Sequence, residues 1–462
     1  MAMNPDPGAA ESGRFLVNVN VILFTQAVNY GLAFLLNIII ARGLGPEGRG
    51  DYALFVLSTT LAASVCTLGT GLGTMYYLGK RKHDVPVLLG NMQFLVLLAT
   101  ATAALAVPAV GLALRPTAFA DTKTVWLYIL AFPLVLEFLL VTTVLIGNER
   151  FLGTSLSMLF QTLVLVVGAA VLYLGDWLTI FSILALWSAS FAVAIAIALA
   201  AVGLENLSAR RVVRPDLAVL REQVGMGLPG QLGSVLQFMN YRLDQFVIRF
   251  LRTRAEVGFY AVAVGLSESV WWIANAISMA LLPRLTRMES QRAGEVTPLA
   301  CRNTLLVSLV AGAGIAAAAP VAIDILFGDE FGPSVRPIAW LMPGIVALSG
   351  TKVLNSYMFS QGKVIINSYV ALAAVVATIL FDLLLIPLFG ISGAAAASSI
   401  AYTLSFALSL HFYQRLSGNS MWECLIPRMS DARLYGGLAR RIWSSALLAA
   451  STVGKARPQH TQ

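Results

Sequence analysis

The stretch QFMNYRLDQ (residues 237–245) sets an arginine, Arg242, and an aspartate, Asp244, inside a segment otherwise apolar enough to dissolve in lipid. The 462-residue chain around it is 58% hydrophobic and only 12% charged, with mean hydropathy +0.79, whereas a soluble domain carries about 25% charged residues. Its apolar runs repeatedly exceed the roughly 20 residues that a helix needs to cross a hydrocarbon core of about 30 Å. A helix satisfies its own backbone groups in lipid. The sequence therefore predicts an all-α integral membrane protein of about twelve transmembrane helices, the first two at 15–41 and 51–79.

The net charge of +8 invites a nucleic-acid reading, but the basic residues fall in short connections between apolar spans. Lys80, Arg81 and Lys82, then Arg210, Arg211 and Arg214, then Arg284, Arg287 and Arg292 gather on one side; the other side holds fewer, such as Arg42, Arg49 and Arg336. By the positive-inside rule both termini are expected in the cytoplasm, with an even number of crossings. The expected parts are a cytoplasmic tail (1–14), a six-helix lobe (15–204), a cytoplasmic linker (205–222), a second six-helix lobe (223–416) and a cytoplasmic or interfacial tail (417–462). In that tail LYGGLARRIWSSALLAA (434–450) is read as interfacial, with a thirteenth crossing left open. The first apolar stretch is far longer than a signal peptide's h-region, so the first helix is expected to be retained. Cys66, Cys301 and Cys424 lack metal-ligand spacing, and His83, His411 and His460 are scattered, so no metal, cofactor or disulfide framework is expected.

A repeat gives QFMNYRLDQ its context. Gln26, Asn29, Tyr30 and Leu32 form QAVNYGL, and Gln237, Asn240, Tyr241 and Leu243 form QFMNYRL, so Q-x-x-N-Y-x-L occurs twice. Downstream, GDYALF (50–55) answers GFYAVA (258–263), as though the second copy had a shorter connection. Two copies of a unit with an even number of crossings enter the membrane in the same direction, the plan of carriers that work by alternating access around a midplane site. The fold class predicted is thus two pseudo-symmetric six-helix lobes around a central cavity.

On a helical wheel Gly230, Gly233, Gln237, Asn240 and Asp244 form one polar or small-residue stripe, and Gln26, Asn29 and Asn37 form another. Such stripes face a cavity or another helix, because polar groups are costly toward lipid. Interhelical hydrogen bonding accounts for the first stripe as well as a cavity does; its recurrence favours a cavity lined by both lobes. In the second copy Arg242 replaces Gly31 and Asp244 replaces Ala33, so charge enters only the C-terminal lobe. Two positions apart on a helix, they point in nearly opposite directions and cannot pair with each other. Asp244 lies on the stripe and is the cavity candidate. Arg242 lies away from it, and two readings stand: a functional partner elsewhere, or snorkelling to the membrane surface.

Glu137, Glu268, Lys352 and Asp382 also fall within spans. Glu137 and Lys352 hold matching repeat positions, readable as an interlobe salt bridge or as substrate groups. Glu268 precedes Trp271 and Trp272, which line an opening or pack the core. Asp382 is expected to reach water. The run LGTGLGTM (68–75) is glycine-rich but follows no strand, so helix packing explains it better than phosphate binding. No Walker loop, catalytic triad or metal cluster is found in the sequence.

Taken together, ARGLGPEGRGDYALF (41–55), the segment from LDQFVIRFL to LLPRLTR (243–287) and LLLIPLFGISGAAAASSIAYTLSF (383–406) resemble the polysaccharide transporter family, the Wzx-like flippases of the multidrug/oligosaccharidyl-lipid/polysaccharide superfamily. The resemblance implies a bacterial inner-membrane protein that moves an isoprenoid-diphosphate-linked oligosaccharide between leaflets for exopolysaccharide, capsule or O-antigen synthesis. It implies a cationic cavity and a lateral opening for the lipid tail, and as partners the lipid-linked oligosaccharide, membrane lipids and a polymerase or glycosyltransferase complex. Arg242 and Lys352 are then the span-embedded cations for the diphosphate, with Gln26, Asn29, Asn37, Gln237, Asn240, Tyr241, Asp244 and Glu268 lining the cavity and Asp244 or Glu137 coupling ions. The lipid II branch of the superfamily usually has fourteen helices and a more basic first lobe, which makes a peptidoglycan precursor a poorer fit. A cation-coupled multidrug antiporter on the same fold would instead use Glu137, Asp244 and Glu268. A membrane polymerase would need a larger outer loop than any here. A major-facilitator carrier would need an Asp-Arg-Gly loop pattern that GKRKHD (79–84) lacks.

Overall fold

The computed structural model describes residues 7–113, 122–203, 215–428 and 431. Every regular element among the described residues is helical. The helices are α1 (Pro7–Cys66), α2 (Thr70–Gly79), α3 (Val85–Ala113), α4 (Thr122–Gly147), α5 (Phe151–Leu174) and α6 (Ile180–Val202) in the first lobe. The second lobe holds α7 (Leu217–Leu251), α8 (Arg254–Ser267), α9 (Trp271–Arg287), α10 (Ser290–Phe327), α11 (Val335–Ser360), α12 (Val364–Phe389) and α13 (Ile391–Ser417), followed by a short α14 (Trp422–Leu425).

Ten described stretches are long and apolar enough to cross a membrane. One of them, Phe24–Cys66, contains two of the spans read from the sequence. Gly45, at φ 65°, bends the chain there ahead of Pro46, so the expected break between 41 and 51 is a kink inside one continuous helical run. The second crossing is completed by α2 after a left-handed Gly69, and α8 and α9 form another single crossing joined by the 3-10 turn Glu268–Val270. Helix α7 is absent from the ten because Gln223, Gln231, Gln237, Asn240, Arg242 and Asp244 dilute its apolar content. With it, the chain makes about twelve crossings in two lobes.

Local chemistry sets the helix ends. Asp216 caps α7 by accepting from the Ala218 and Val219 amides, Thr253 caps α8 through the Glu256 amide, and Thr179 and Ser182 form a reciprocal capping box on α6. One large apolar cluster, including Phe55, Leu136, Leu140 and Trp187, fills the first lobe. Two others, around Tyr260, Phe331 and Ile345 and around Tyr357, Met358 and Tyr413, fill the second.

In lipid the hydrophobic effect does not hold helices together, so close approach of small residues must do so. The lobes meet through such approaches at both membrane faces. On the face carrying the 80–84 connection, hereafter the N-terminal face, a Cβ on Gly69 would run into the Gly227 backbone and one on Gly73 into Gln223. The Gln223 amide donates to Thr74 Oγ1 (2.7 Å) and accepts from Asn91 (2.8 Å). On the opposite face α1 packs along α8, and Arg42 reaches across to the carbonyls of Ile325 and Leu326 at the end of α10. The interfacial tail expected at 434–450 lies outside the described residues, as does most of the inter-lobe linker.

Candidate functional site: two stacked interlobe cavities

Two cavities lie between the lobes, one above the other along the membrane normal. The larger, about 450 Å³, sits toward the N-terminal face and is lined by Gln26 and Tyr30 of α1, Gln237 and Tyr241 of α7, Asn275 and Ser278 of α9, and Lys352 and Asn355 of α11. The smaller, about 190 Å³, lies toward the opposite face and is lined by Asn37, Arg49 and Tyr52 of α1, Arg242 and Gln245 of α7, and Glu268. Each helix shows the stacking in its own order: α1 gives residues 26 and 30 to one cavity and 37 to the other, and α7 gives 237 and 241, then 242 and 245. Aromatic side chains separate them. Trp271 packs on Tyr241 (centroids 5.0 Å) and Tyr402 (6.0 Å), while Trp272 stacks on Tyr30 of the first lobe (4.9 Å, 10° between planes).

In the larger cavity Lys352 Nζ stands 4.9 Å from the Trp271 ring centroid and 5.5 Å from that of Tyr241, and no carboxylate pairs with it among the described residues. Cation–π contact stabilises an ammonium while leaving its hydrogens free to donate. Asn355 Oδ1 and Ser278 Oγ in the same wall are buried without a partner among the described residues. A buried polar atom left unpaired costs about 1–3 kcal/mol, a deficit that a hydroxyl-bearing ligand removes. Gln237 donates to the Tyr241 hydroxyl and fixes that wall.

In the smaller cavity Arg242 makes a two-pronged ion pair with Glu268, Nη1–Oε1 2.5 Å and Nη2–Oε2 2.8 Å. Of the two readings of Arg242, snorkelling is therefore excluded: the side chain turns inward to a carboxylate supplied by the 3-10 turn after α8. Arg49, placed in a loop by the sequence, is 7% exposed and donates to Asn37 Oδ1 (2.6 Å).

Several expectations are corrected. Asp244 and Asn240, read as cavity residues, face the interior of the second lobe, because that side of α7 packs on α12 and α13. Asp244 accepts from the Tyr260 hydroxyl (2.5 Å) and Ser398 Oγ (3.0 Å), and Asn240 accepts from Thr378 Oγ1 (3.4 Å). Asp382, expected to reach water, is fully buried, with both oxygens unpartnered among the described residues. Glu137 and Lys352 do not meet: Gln93 donates to Glu137 inside the first lobe (2.5 Å). Asn29 lines neither cavity, and its Oδ1 is buried without a partner among the described residues. Gln26, Asn37, Gln237, Tyr241, Arg242, Glu268 and Lys352 do line the interlobe space. Sequence reasoning missed Asn275, Ser278 and Asn355, for which no repeat partner gave a signal, and Arg49, whose signal was its adjacency to the repeated GDYALF.

The model of the family described as polysaccharide biosynthesis protein matches residues 15–289. The chain is similar to the capsular polysaccharide biosynthesis protein CapF of Staphylococcus aureus, 21% identical over 212 residues that cover 44% of this chain and 52% of that protein. It is also similar to the probable flippase AglR of Haloferax volcanii, 25% identical over 184 residues, 38% of each chain. The chain thus spans about half the length, or less, of the curated relatives it matches. Among solved structures, the lipid II flippase MurJ in an inward closed conformation superimposes with TM-score 0.69 at 12% identity, covering 93% of this chain and 99% of that one. An inward-facing multidrug resistance MATE family transporter of the MOP superfamily does so with TM-score 0.69 at 14% identity, covering 84% and 94%. These likenesses show a shared fold, and the family match extends over more than half of the residues: the chain belongs to the polysaccharide biosynthesis protein family.

Proposed function

We propose that the protein is a flippase that carries a lipid-linked oligosaccharide, joined to its isoprenoid by a diphosphate, across the bacterial cytoplasmic membrane for export of a surface polysaccharide. The observation that carries this reading is Lys352, a cation without a carboxylate partner among the described residues, held over Tyr241 and Trp271 in a polar cavity between two lobes. An ammonium with free donors binds phosphate oxygens, and the unpaired amide and hydroxyl groups beside it match sugar hydroxyls. With both termini in the cytoplasm, the larger cavity lies on the cytoplasmic side, where such a substrate is assembled, and the face where α1 packs along α8 is the exit. Transport is then a rocking of the lobes that exchanges the contact at one face for that at the other.

For coupling, Asp244 and Asp382 offer a cation site inside the second lobe. Two buried carboxylates close enough to feel each other's charge, with Ser398 and Thr378 nearby, carry two negative charges, which two protons or monovalent cations, or one of each, would balance. The cavities argue against the antiporter of cationic drugs, since Glu268 is the sole carboxylate among the described lining residues and is bound to Arg242.

The test is leaflet-selective labelling of the lipid-linked oligosaccharide in a deletion strain complemented with wild type or Lys352→Gln. Inner-leaflet accumulation rescued by wild type alone is expected. Absence of accumulation in the deletion strain, together with changed drug sensitivity, would replace the flippase with the antiporter.

A further inference from the structure

The smaller cavity holds an uncompensated charge that the uptake step leaves unused. Arg49 is nine-tenths buried; its Nη2 is committed to Asn37, whose own amide is tied to the Ala33 carbonyl (2.8 Å), and its Nε has no partner among the described residues. The Tyr52 ring, 5.7 Å away, gives it an aromatic face. Arg242 shares the cavity but is neutralised by Glu268 through both guanidinium prongs. Among the described lining residues, two guanidinium groups and one carboxylate leave one net positive charge. Gln245 adds a buried Oε1 without a partner among the described residues, and turning its amide over presents a donor to the same space.

Carrying an unbalanced cation out of water is costly. It persists in a folded protein where an anion can take its place opposite, and the planar guanidinium fork matches phosphate oxygens in particular. We infer that the smaller cavity is a second, distinct anion station for the diphosphate, with Arg49 as its ligand and Arg242 as a reserve ligand freed when Glu268 lets go. The inference rests on the flippase reading and deepens it. The diphosphate is passed from Lys352, beneath the Trp271–Tyr241 layer, to Arg49, above it.

The experiment is calorimetric titration of the purified full-length protein in phosphatidylcholine nanodiscs with inorganic pyrophosphate. Wild type is expected to show two classes of site. Arg49→Gln should remove one class and Lys352→Gln the other, whereas Arg49→Lys should retain both with the affected class weakened about tenfold, since the charge survives and the fork does not. A single class of site lost with Lys352→Gln and indifferent to Arg49→Gln would overturn the second station while leaving the flippase reading standing. Equal displacement of pyrophosphate from the Arg49 class by phosphatidylglycerol, added in matched nanodiscs, would overturn its assignment to a diphosphate. Should Arg49→Gln fail to fold, loss of the same class in Gln245→Leu keeps the inference, and two unchanged classes in that variant and in Arg49→Lys reject it.

Discussion

Gly50 and Gly258, equivalent positions of the two repeat units, touch each other across the lobe boundary. A Cβ on Gly50 would collide with the Arg254 carbonyl and stand 3.1 Å from the Gly258 nitrogen; one on Gly258 would collide with the Pro46 carbonyl and stand 3.2 Å from the Gly50 nitrogen. Arg254 and Pro46 are themselves equivalent in the repeat, so the contact is symmetric about an axis along the membrane normal. Only hydrogen atoms fit between these backbones. The pair acts as a seal on the face opposite the N-terminus, reinforced by Arg254 and Asp51 (3.4 Å).

Placing a side chain at this seal should push the lobes apart there without unfolding either of them. Overpacking costs about 1–3 kcal/mol, which shifts the equilibrium between closed and open seals by roughly 5- to 150-fold. In a cysteine-free background, Ala261→Cys on the wall of the smaller cavity should then react faster with a water-soluble maleimide when Gly50→Val is added, and transport should fall. An unchanged labelling rate with full transport would show that the glycines are not a moving contact.

The contact on the N-terminal face has a different chemistry and a different sensitivity. Glu222 at the start of α7 accepts from Lys82 Nζ (2.7 Å) and His83 Nε2 (3.0 Å) of the first lobe. These hydrogen bonds, Lys82's first, hold the Glu222 carboxyl below its usual value of 4.5, and the bond to Glu222 holds the Lys82 ammonium above its usual 10.5. A carboxyl with a lowered value contributes above that usual value and loses its contribution as the pH falls through the lowered one. A raised ammonium contributes below its usual value and loses it as the pH rises through the raised one. The latch is therefore constant across neutral pH and weakens below about 4.5. Labelling of Thr70→Cys, normalised to an exposed cysteine, should be flat between roughly pH 5 and pH 9. Glu222→Gln should raise it less than about fivefold, since exposed ion pairs are weak. A rise in labelling within that pH range would show that the Lys82–Glu222 pair does not hold this face closed.

How much of this was legible in the chain depends on the range of the signal. Hydropathy and the repeated Q-x-x-N-Y-x-L set out the membrane helices and the two lobes, because lipid forces long apolar runs and duplication leaves a residue-by-residue trace. The wheel set Gln237, Asn240 and Asp244 on one stripe, and of these only Gln237 reaches the interlobe space. A polar stripe states which way a helix turns its costly groups, not whether a cavity or a neighbouring helix receives them, and α12 and α13 received Asp244. Arg49 was hidden for a related reason. Charge near a kink reads as loop, and Gly45 bends the chain early enough that Arg49 is already inside the next helix.

Ion coupling can be separated from cavity binding through Asp382. Its oxygens lack hydrogen-bond donors among the described residues, so Asp382→Asn removes a charge without orphaning a donor, whereas Asp244→Asn keeps an oxygen for Tyr260 and Ser398. In proteoliposomes wild-type flux should rise under an imposed proton or sodium gradient, and Asp382→Asn should abolish that response with pyrophosphate binding intact. Wild-type flux indifferent to both gradients would remove the coupling role.

Lys352 should behave as a binding group and not as a packing group. Its head touches two aromatic faces, so Lys352→Met would preserve the packing of the stem, and Lys352→Gln would preserve a donor. If the cavity needs the charge, both should weaken pyrophosphate binding at the first station by roughly ten- to a hundredfold, the range of a charge-assisted hydrogen bond worth about 1.5–3 kcal/mol. Lys352→Arg should retain most of it. Trp271→Leu should cost less affinity than either, because cation–π contact holds the ammonium in place and leaves its charge intact. Equal affinity in wild type and Lys352→Met would mean that the diphosphate does not meet Lys352, and the first contact would have to be sought among Asn275, Ser278 and Asn355.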